Sequence, residues 1–315
     1  MVNKTVISFT KMHGLGNDFV VIDNRQLQLQ LTLQKIQSIA DRHFGVGCDQ
    51  LLLIEDSLLA QVDFKYRIFN ANGLEVQQCG NGARCFALYV AKKGLSDKTT
   101  LAVETLAGII YLYIEVRDET RTGEETKDEE ISVRVNMGNP DFSPEKLPFL
   151  VKDPIAIKNN LYQLETDNLL DLSPNSVISD THSTDKVFNF SAVSMGNPHI
   201  TLSVRQLNNY KVESVGNFLL NHSAFPQGVN VGFMQIIDKN TIKLRVYERG
   251  AGETLACGSG ACAAVVNGIQ QGVLNHKVRV QLTNGSLFIQ WNGDKTQPVW
   301  MSGPASFVFE GQIEI

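Results

Sequence analysis

The chain has 315 residues, which is the length of two ordinary domains of about 100–200 residues each. Hydrophobic residues make up 43% of it and charged residues 19%, so it can fill sizeable cores and has little room for long solvated tails. The net charge of −5, without any basic run, excludes the positive surface that nucleic-acid binding requires. Because no stretch approaches about 18 apolar residues and the first residues lack an apolar leader, we expect a cytoplasmic protein outside the membrane.

Alternation of apolar and polar residues with a period of two predicts strands. In chain order they cover 6–11, 19–23, 64–69, 109–116, 131–136, 200–204, 241–247 and 278–283. Helical spacing predicts one amphipathic helix over 32–43 and two strongly apolar helices, one after Cys79 and one after Cys257. The strands outnumber the helices and do not alternate regularly with them, so the predicted fold class is α+β.

Two polar segments interrupt this pattern. Segment 117–130 holds seven acidic and three basic residues and so carries −4 of the net charge of −5, which is typical of a solvated loop or linker. Segment 166–185 is rich in Ser, Thr, Asn and Asp, which favour turns. We therefore place a domain boundary at the charged segment: 1–130 is an N-terminal half, 131–302 is a C-terminal half, and 303–315 can pack back on the first.

A repeat relates the two halves. Residues 66–95 align without a gap to residues 244–273, at an offset of 178. The matches are Arg67 with Arg245, Phe69 with Tyr247, Glu75 with Glu253, Cys79 with Cys257, Gly80 with Gly258, Gly82 with Gly260, Ala83 with Ala261 and Gly94 with Gly272. We infer two structurally similar halves related by a pseudo-twofold axis, each with a central buried helix, and an active site in the cleft between them.

Each half carries the same Cys-Gly-x-Gly-Ala turn before its apolar helix, so Cys79 and Cys257 stand at helix N-termini. The N–H groups at a helix start favour anions, and we expect them to lower the pKa of both thiols. The matched turns disfavour two other interpretations, which are small core cysteines and a zinc site with its shorter cysteine spacing. The remaining cysteines of the five, Cys48, Cys85 and Cys262, are predicted to be buried and reduced.

Matching turns that face each other across a cleft suit stereoinversion. One thiolate removes a proton from one face of a carbon while a thiol delivers a proton to the other face, and the reverse reaction exchanges the roles. The chain shows no glycine-rich phosphate loop with a lysine that would indicate pyridoxal phosphate. We therefore expect neither a cofactor nor a metal.

These motifs resemble those of the diaminopimelate epimerase family. The matching segments run almost end to end; they are FTKMHGLGNDFVVID (9–23), GVGCDQLLLIE (45–55), FNANGLEVQQCGNGARC (69–85), ETLAGII (104–110), GNPHI (196–200), GVNVGFMQI (228–236), YERGAGETLACGSGACA (247–263) and MSGPASFVFEG (301–311). The resemblance implies an isomerase that interconverts LL- and meso-2,6-diaminopimelate without pyridoxal phosphate, in lysine and peptidoglycan precursor biosynthesis. The fold that it implies has two similar halves, each a largely antiparallel mixed sheet wrapped around a central buried helix. It does not cover the segments 117–130 and 166–185.

The resemblance also implies roles for individual residues. Cys79 and Cys257 are the catalytic acid and base, and His199 and Glu248 support them. The implied substrate-binding residues are Asn17, Gln50, Asn70, Gly80, Asn81, Asn197, Asn230, Glu248, Arg249, Gly258 and Ser259. The chemistry agrees, because Arg249 can pair with the α-carboxylate, helix N-termini add positive potential, and neutral amides suit the distal amino acid group.

A homodimer is implied as well, although Phe309 stands where the family often has a tyrosine linked to the dimer contact. One alternative is another racemase of the same superfamily, of the proline or hydroxyproline type. A phenazine-type isomerase, which lacks the thiol pair, and a non-catalytic thiol or metal-binding protein are further alternatives. The two cysteines and the motifs GLGNDF and CGNGAR favour the epimerase.

Overall fold

The structure is a computed structural model, and it describes residues 5–27, 29–77, 79–117, 130–143, 146–147, 160–165 and 187–315. The chain divides into two compact units, Met1–Asn136 with Ser302–Ile315 (unit 1) and Met137–Met301 (unit 2). The charged segment 117–130, apart from the strand residues at its two ends, and the polar segment 166–185 lie outside the described residues.

Strands dominate both units. In chain order the elements are β1 (Val6–Gly14), β2 (Asn17–Asp23), α1 (Leu33–Ala40), β3 (Gln50–Glu55), β4 (Phe64–Asn70), β5 (Glu75–Val76), α2 (Gly80–Lys92), β6 (Thr100–Thr105), β7 (Gly108–Arg117), β8 (Glu130–Asn136), β9 (Leu161–Glu165), β10 (Val187–Ser194), β11 (Pro198–Ser203), α3 (Val212–Leu220), β12 (Asn230–Asp238), β13 (Thr241–Glu248), β14 (Gly252–Thr254), α4 (Gly258–Gln270), β15 (Lys277–Leu282), β16 (Gly285–Gln290), β17 (Trp300–Gly303) and β18 (Ser306–Glu314). The predicted α+β class is confirmed.

Every strand predicted by alternation is present, but the amphipathic helix is shorter than its prediction. Thr32 caps the start of α1, where its hydroxyl accepts a hydrogen bond from the backbone N–H of Lys35 at 3.3 Å. Asp41 ends the helix with an extended backbone. Its carboxylate then accepts the backbone N–H groups of His43 and Phe44, at 2.7 and 2.8 Å, so that the predicted last turn is a loop.

Period-two alternation finds eight of the eighteen strands among the described residues; two that it misses, β3 and β12, are covered on two faces. A strand buried on both sides is a continuous apolar run instead of an alternating one. Leu51 packs with Ile36 and Ile39 of α1 on one face of the sheet of unit 1. In unit 2, Phe233 packs with Val215 of α3 in the same way.

In unit 1 the sheet runs β18–β1–β2–β3–β4–β6–β7–β8, with β5 paired to β4. The pairs β2–β3 and β4–β6 are parallel and the others are antiparallel. Parallel neighbours need a crossover, which α1 provides for the first pair and α2 for the second. Helix α2 packs against β1, β2, β3, β7 and β8, so the sheet wraps around it.

Unit 2 repeats this topology. Its sheet runs β9–β10–β11–β12–β13–β15–β16, with β14 on β13, and the parallel pairs are β11–β12 and β13–β15. Helix α3 forms the first crossover and α4 the second, and α4 packs against β10, β11, β12, β13 and β16. The prediction of two similar halves is confirmed, and the similarity extends from the aligned segment to the whole run from β1 to β7, which matches β10 to β16.

Helix α3 lies very close to β13 at Gly216. A Cβ at this position would lie 2.4 Å from Cγ and 2.5 Å from Cβ of Tyr247 on β13. Gly216→Ala should therefore lower the free energy of unfolding by about 1–3 kcal/mol, because α3 must move off the strand. Ser214→Ala, on the exposed side of α3, is the control and should stay within about 0.5 kcal/mol. Urea unfolding measures both; equal midpoints for Gly216→Ala and the unaltered chain would contradict this packing.

Candidate active site

Each central helix begins at a cysteine, as predicted. Cys79 is the N-cap of α2 and Cys257 is the N-cap of α4, both in extended backbone with φ of −141° and −118°. Each helix is followed by a glycine in the left-handed region, Gly94 at φ +61° and Gly272 at +73°. Helices α2 and α4 therefore begin and end in the same local structure.

In unit 1 the predicted site residues form two hydrogen-bonded groups at strand ends. Oδ1 of Asn17 accepts from the partly exposed thiol of Cys79 at 3.7 Å and from Nδ2 of Asn81 at 3.2 Å. Gln50, at the start of β3, donates to Oδ1 of Asn70, at the end of β4, at 2.8 Å. Oε1 of Gln50 is buried and has no hydrogen-bond partner among the described residues.

In unit 2 the thiol of Cys257 is buried against a carboxylate. It donates to Oε2 of Glu248, at the end of β13, at 3.0 Å, while the hydroxyl of Thr254 donates to Oε1 of the same group. Burial, and then the charge of Glu248, raise the pKa of Cys257 well above its usual range. The expectation that the helix start lowers this pKa is therefore wrong, because desolvation and a neighbouring negative charge outweigh the N–H of Gly260, which lies 3.3 Å from Sγ.

His199, on β11, is fully buried, and its burial lowers the pKa of the imidazole to about 3. It is therefore neutral at neutral pH. Its Nε2 lies 3.0 Å from Oδ1 of Asn197 and 3.1 Å from Oγ of Ser259. Oγ of Ser259 in turn lies 3.6 Å from Sγ of Cys257. The hydroxyl of Ser259 therefore connects the imidazole of His199 to the thiol of Cys257.

Asn230 connects three backbone segments of unit 2. Its Nδ2 donates to the carbonyl of Pro198 at 3.1 Å, and its Oδ1 accepts the backbone N–H of Arg249 at 2.9 Å. The exposed side chain of Arg249 donates to the carbonyl of Gln227 at 2.9 Å. The amide of Asn230 thus fixes the turn from which the guanidinium of Arg249 extends.

Strand register shows which residues of the two half-sites are equivalent. Within each unit the first parallel pair and the following antiparallel pair have matching partners at the strand ends. The equivalent positions, unit 1 first, are Asn17 and Asn197, Phe19 and His199, Gln50 and Asn230, Asn70 and Glu248, Cys79 and Cys257, Gly80 and Gly258, Asn81 and Ser259, and Arg84 and Cys262. A carboxylate and an imidazole therefore occupy, in unit 2, positions that hold an amide and a phenyl ring in unit 1.

Three residues that the sequence does not single out support these groups. Oδ2 of Asp49 accepts from Nδ2 of Asn17 at 3.1 Å, and Thr254 holds Glu248. Arg84, fully buried in α2, donates to Oδ1 of Asn81 at 3.0 Å. Only Arg84 has a signal in the sequence, because a single arginine interrupts an otherwise apolar helix.

The three other cysteines, Cys48, Cys85 and Cys262, are buried as predicted. Burial raises the pKa of Cys48 to about 11 and that of Cys85 further, so neither thiol ionises readily. In the part of the chain that the structure describes, no group of three or more His, Cys, Asp or Glu could hold a metal ion. No helix among those residues is long and apolar enough to cross a membrane.

Solved structures share this fold. A hydroxyproline epimerase from Agrobacterium vitis matches with a TM-score of 0.66 at 12% identity, over 100% of this chain and 93% of that one. A phenazine biosynthesis protein of the PhzF family from Bacillus anthracis matches with a TM-score of 0.62 at 17% identity, over 99% of this chain and 100% of that one. The chain therefore has the fold of these two-halved proteins.

Sequence comparison identifies the family. The protein-family sequence model described as diaminopimelate epimerase matches residues 9–143 and 191–308, which include every predicted site residue. A diaminopimelate epimerase of Nitrosospira multiformis is 48% identical over 309 residues, which are 98% of this chain and 99% of that protein. The chain belongs to the diaminopimelate epimerase family, which is a family of isomerases.

The buried imidazole makes the folded state sensitive to acid. The unfolded chain protonates His199 near pH 6.5 but the folded chain only near pH 3, so stability present above pH 6.5 is lost as the pH falls. The free energy of unfolding should fall by up to about 1.4 kcal/mol more per pH unit in the unaltered chain than in His199→Gln. Urea unfolding at pH 7 and pH 4.5 measures this; His43→Gln, at an exposed position, is the control. Parallel pH curves for the unaltered chain and His199→Gln would contradict the assignment.

The carboxylate of Glu248 makes the Cys257 thiol harder to ionise. Glu248→Gln removes that negative charge, so the pKa of Cys257 should fall and iodoacetamide should alkylate this thiol about tenfold faster at pH 8. Mass spectrometry of the Cys257 peptide measures the rate, with the Cys79 peptide as internal reference. Glu253→Gln, whose carboxylate pairs with Arg245 in the same unit, is the control. An unchanged or slower rate in Glu248→Gln would show that the carboxylate does not control this thiol.

Proposed function

We propose that the chain interconverts LL- and meso-diaminopimelate by two-base proton transfer at the α-carbon, without pyridoxal phosphate. This reaction belongs to the biosynthesis of lysine and of peptidoglycan precursors. The observation that carries the proposal is duplication: in a member of this family, each half begins its buried central helix with a cysteine. Inversion at one carbon needs one proton carrier on each face, and the duplicated halves supply Cys79 and Cys257.

The raised pKa of Cys257 assigns the resting roles. Cys257 holds its proton at neutral pH, so it is the donor, and Cys79 removes the α-proton after it has lost the proton that it shares with Asn17. The C–H bond breaks as Cys79 becomes protonated. The carbanion then takes the proton of Cys257 on its opposite face, so one S–H bond forms and another breaks in each inversion.

The reverse reaction requires Cys257 to lose its proton first. Glu248 accepts a hydrogen bond from this thiol at 3.0 Å, so its carboxylate is the group to which the proton can pass. The resulting thiolate removes the α-proton, and Cys79 returns its own proton on the other face. Neutral His199 adds no charge here; it holds the hydroxyl of Ser259 near the sulfur.

The carbanion is stabilised when the charge of the adjacent carboxylate is neutralised. Arg249 can bind the α-carboxylate with two hydrogen bonds, and the backbone N–H groups at Gly80 and Gly258 add the positive potential of two helix starts. Gln50 and Asn70 suit the distal amino acid group. The buried Oε1 of Gln50, which has no hydrogen-bond partner among the described residues, is an acceptor for the substrate ammonium.

We also propose that the enzyme is a cytoplasmic homodimer. On β18, Val308 is 54% and Phe309 is 49% exposed, and the ring of Phe309 meets that of Phe9 edge-on at 5.9 Å between centroids. Neighbouring exposed apolar side chains are the kind of surface that a second copy covers. Phe309 therefore supplies apolar contact area without the tyrosine hydroxyl that the family often has.

Removal of either sulfur should abolish inversion. Cys79→Ser and Cys257→Ser should each lower kcat for LL-diaminopimelate by at least about 100-fold, because each loses one proton carrier of suitable pKa. Cys85→Ala, which removes a buried thiol from the core of α2, is the control and should retain activity. The assay is incubation in heavy water without added cofactor, following stereochemistry and deuterium at the α-carbon together.

Two results would reject the proposal. Near-normal kcat in either serine variant would exclude the two-base scheme. Faster deuterium uptake into proline or hydroxyproline than into diaminopimelate would assign the chain to the other racemase activity instead.

A further inference from the structure

One charged side chain lies inside the otherwise apolar helix α2. Arg84 is fully buried, and its guanidinium donates to Oδ1 of Asn81 at 3.0 Å and to the carbonyl of Gly80 at 3.5 Å. It also donates to the carbonyl of Pro304, in the C-terminal segment of unit 1, at 3.2 Å. Because a buried charge is stable only when it is hydrogen-bonded, these acceptors fix the guanidinium beside the start of the helix that Cys79 caps.

Arg84 determines the orientation of the Asn81 amide. A guanidinium only donates hydrogen bonds, so Asn81 must turn its oxygen toward Arg84 and its NH2 group away from it. That NH2 group donates to Oδ1 of Asn17 at 3.2 Å. The orientation of the Asn81 amide therefore sets the orientation of the Asn17 amide.

The amide of Asn17 is held at both ends. Its Nδ2 donates to Oδ2 of Asp49 at 3.1 Å, and a carboxylate only accepts, so Asp49 requires the same orientation as Arg84 does. Its Oδ1 lies 3.7 Å from Sγ of Cys79. Two charged groups of opposite sign thus hold one amide oxygen next to the thiol.

The turn between β1 and β2 closes over this chain of hydrogen bonds. A Cβ at Gly14 would lie 3.1 Å from a guanidinium nitrogen of Arg84 and 3.2 Å from Cβ of Asn81. Leu15, the next residue, is nearly buried and has φ +57°, which a non-glycine residue rarely adopts. A strained turn persists where surrounding contacts require it, and here it delivers Asn17 to the start of α2.

The equivalent positions of unit 2 hold different chemistry. Cys262 stands where unit 1 has Arg84, and Ser259, in the place of Asn81, contacts His199. We propose that Arg84 is a positioning residue of the epimerase reaction, which acts through Asn81 to hold the amide oxygen of Asn17 against Cys79 in unit 1 alone. This inference rests on the proposed function, in which Cys79 is one of the two bases.

A double-mutant cycle on the full chain tests this chain of contacts. Arg84→Met should lower kcat for diaminopimelate about 30-fold with KM changed less than about threefold, because positioning of a base affects the proton transfer. In an Asn17→Ala background the same substitution should lower kcat by less than about threefold, since the connection is already broken. Arg84→Lys, which keeps a charged donor, should restore kcat to within about fivefold of the unaltered enzyme. Equal factors in both backgrounds, or no recovery with lysine, would overturn the proposal.

Thiol alkylation provides a test that needs no turnover. Because Arg84 acts through the amide of Asn17, Arg84→Met should change the rate at which iodoacetamide alkylates Cys79 by at least about fivefold and in the same direction as Asn17→Ala does, with Cys257 within about twofold of its rate in the unaltered chain. Cys262→Ala, at the equivalent position of α4, is the control and should leave Cys79 unchanged. Equal changes at both thiols, or none, would overturn the proposal.

This second test separates the two hypotheses. If the unaltered chain does not act on diaminopimelate, the proposed function fails, and a selective change at Cys79 that Asn17→Ala reproduces still supports the positioning role. If Arg84→Met does not fold, Asn81→Asp replaces it in both tests. That substitution keeps an acceptor for Arg84 and removes the donor to Asn17, so the same results are expected and the same results would contradict the proposal.

Discussion

Helices α2 and α4 are apolar on nearly every side, so each must be enclosed by its own sheet, and the enclosure fixes where the first residue of the helix lies. In both units the strands that enclose the helix present polar residues at their ends, beside the helix start. The parallel crossover through α1 or α3 sets the register that brings Phe19 opposite Gln50 in unit 1 and His199 opposite Asn230 in unit 2. The chemistry of each half-site thus follows from how an apolar helix is buried.

The same enclosure produces opposite electrostatics in the two units. In unit 2 the end of β13 provides Glu248, whose charge adds to desolvation and keeps Cys257 protonated. In unit 1 the equivalent position holds the neutral Asn70, and the buried cation of Arg84 lies next to the first residue of the helix that Cys79 caps. Duplication therefore conserved the backbone and the sulfur atoms, while the neighbouring side chains diverged.

The sequence predicts the parts of the site that depend on local structure. Cys79 and Cys257 are identified as helix caps because the glycine turn and the apolar helix after it repeat without a gap. The equivalence of the strand ends is hidden, because Gln50 precedes Asn70 by 20 positions whereas Asn230 precedes Glu248 by 18, so an ungapped comparison fails across that loop. The raised pKa of Cys257 is not predictable from spacing either, because it comes from burial and from a contact between residues nine positions apart on different elements.

In the proposed two-base inversion, such divergence is useful. The reaction requires one thiolate and one thiol at the same moment, and two identical, independent thiols would reach that mixed state in at most about half of the molecules, divided between two opposite arrangements. Unequal surroundings populate one arrangement, and a reversible reaction then needs a way to reach the other. Glu248 meets both needs, since its charge keeps Cys257 protonated at rest and its oxygen, 3.0 Å away, can take that proton when the direction reverses.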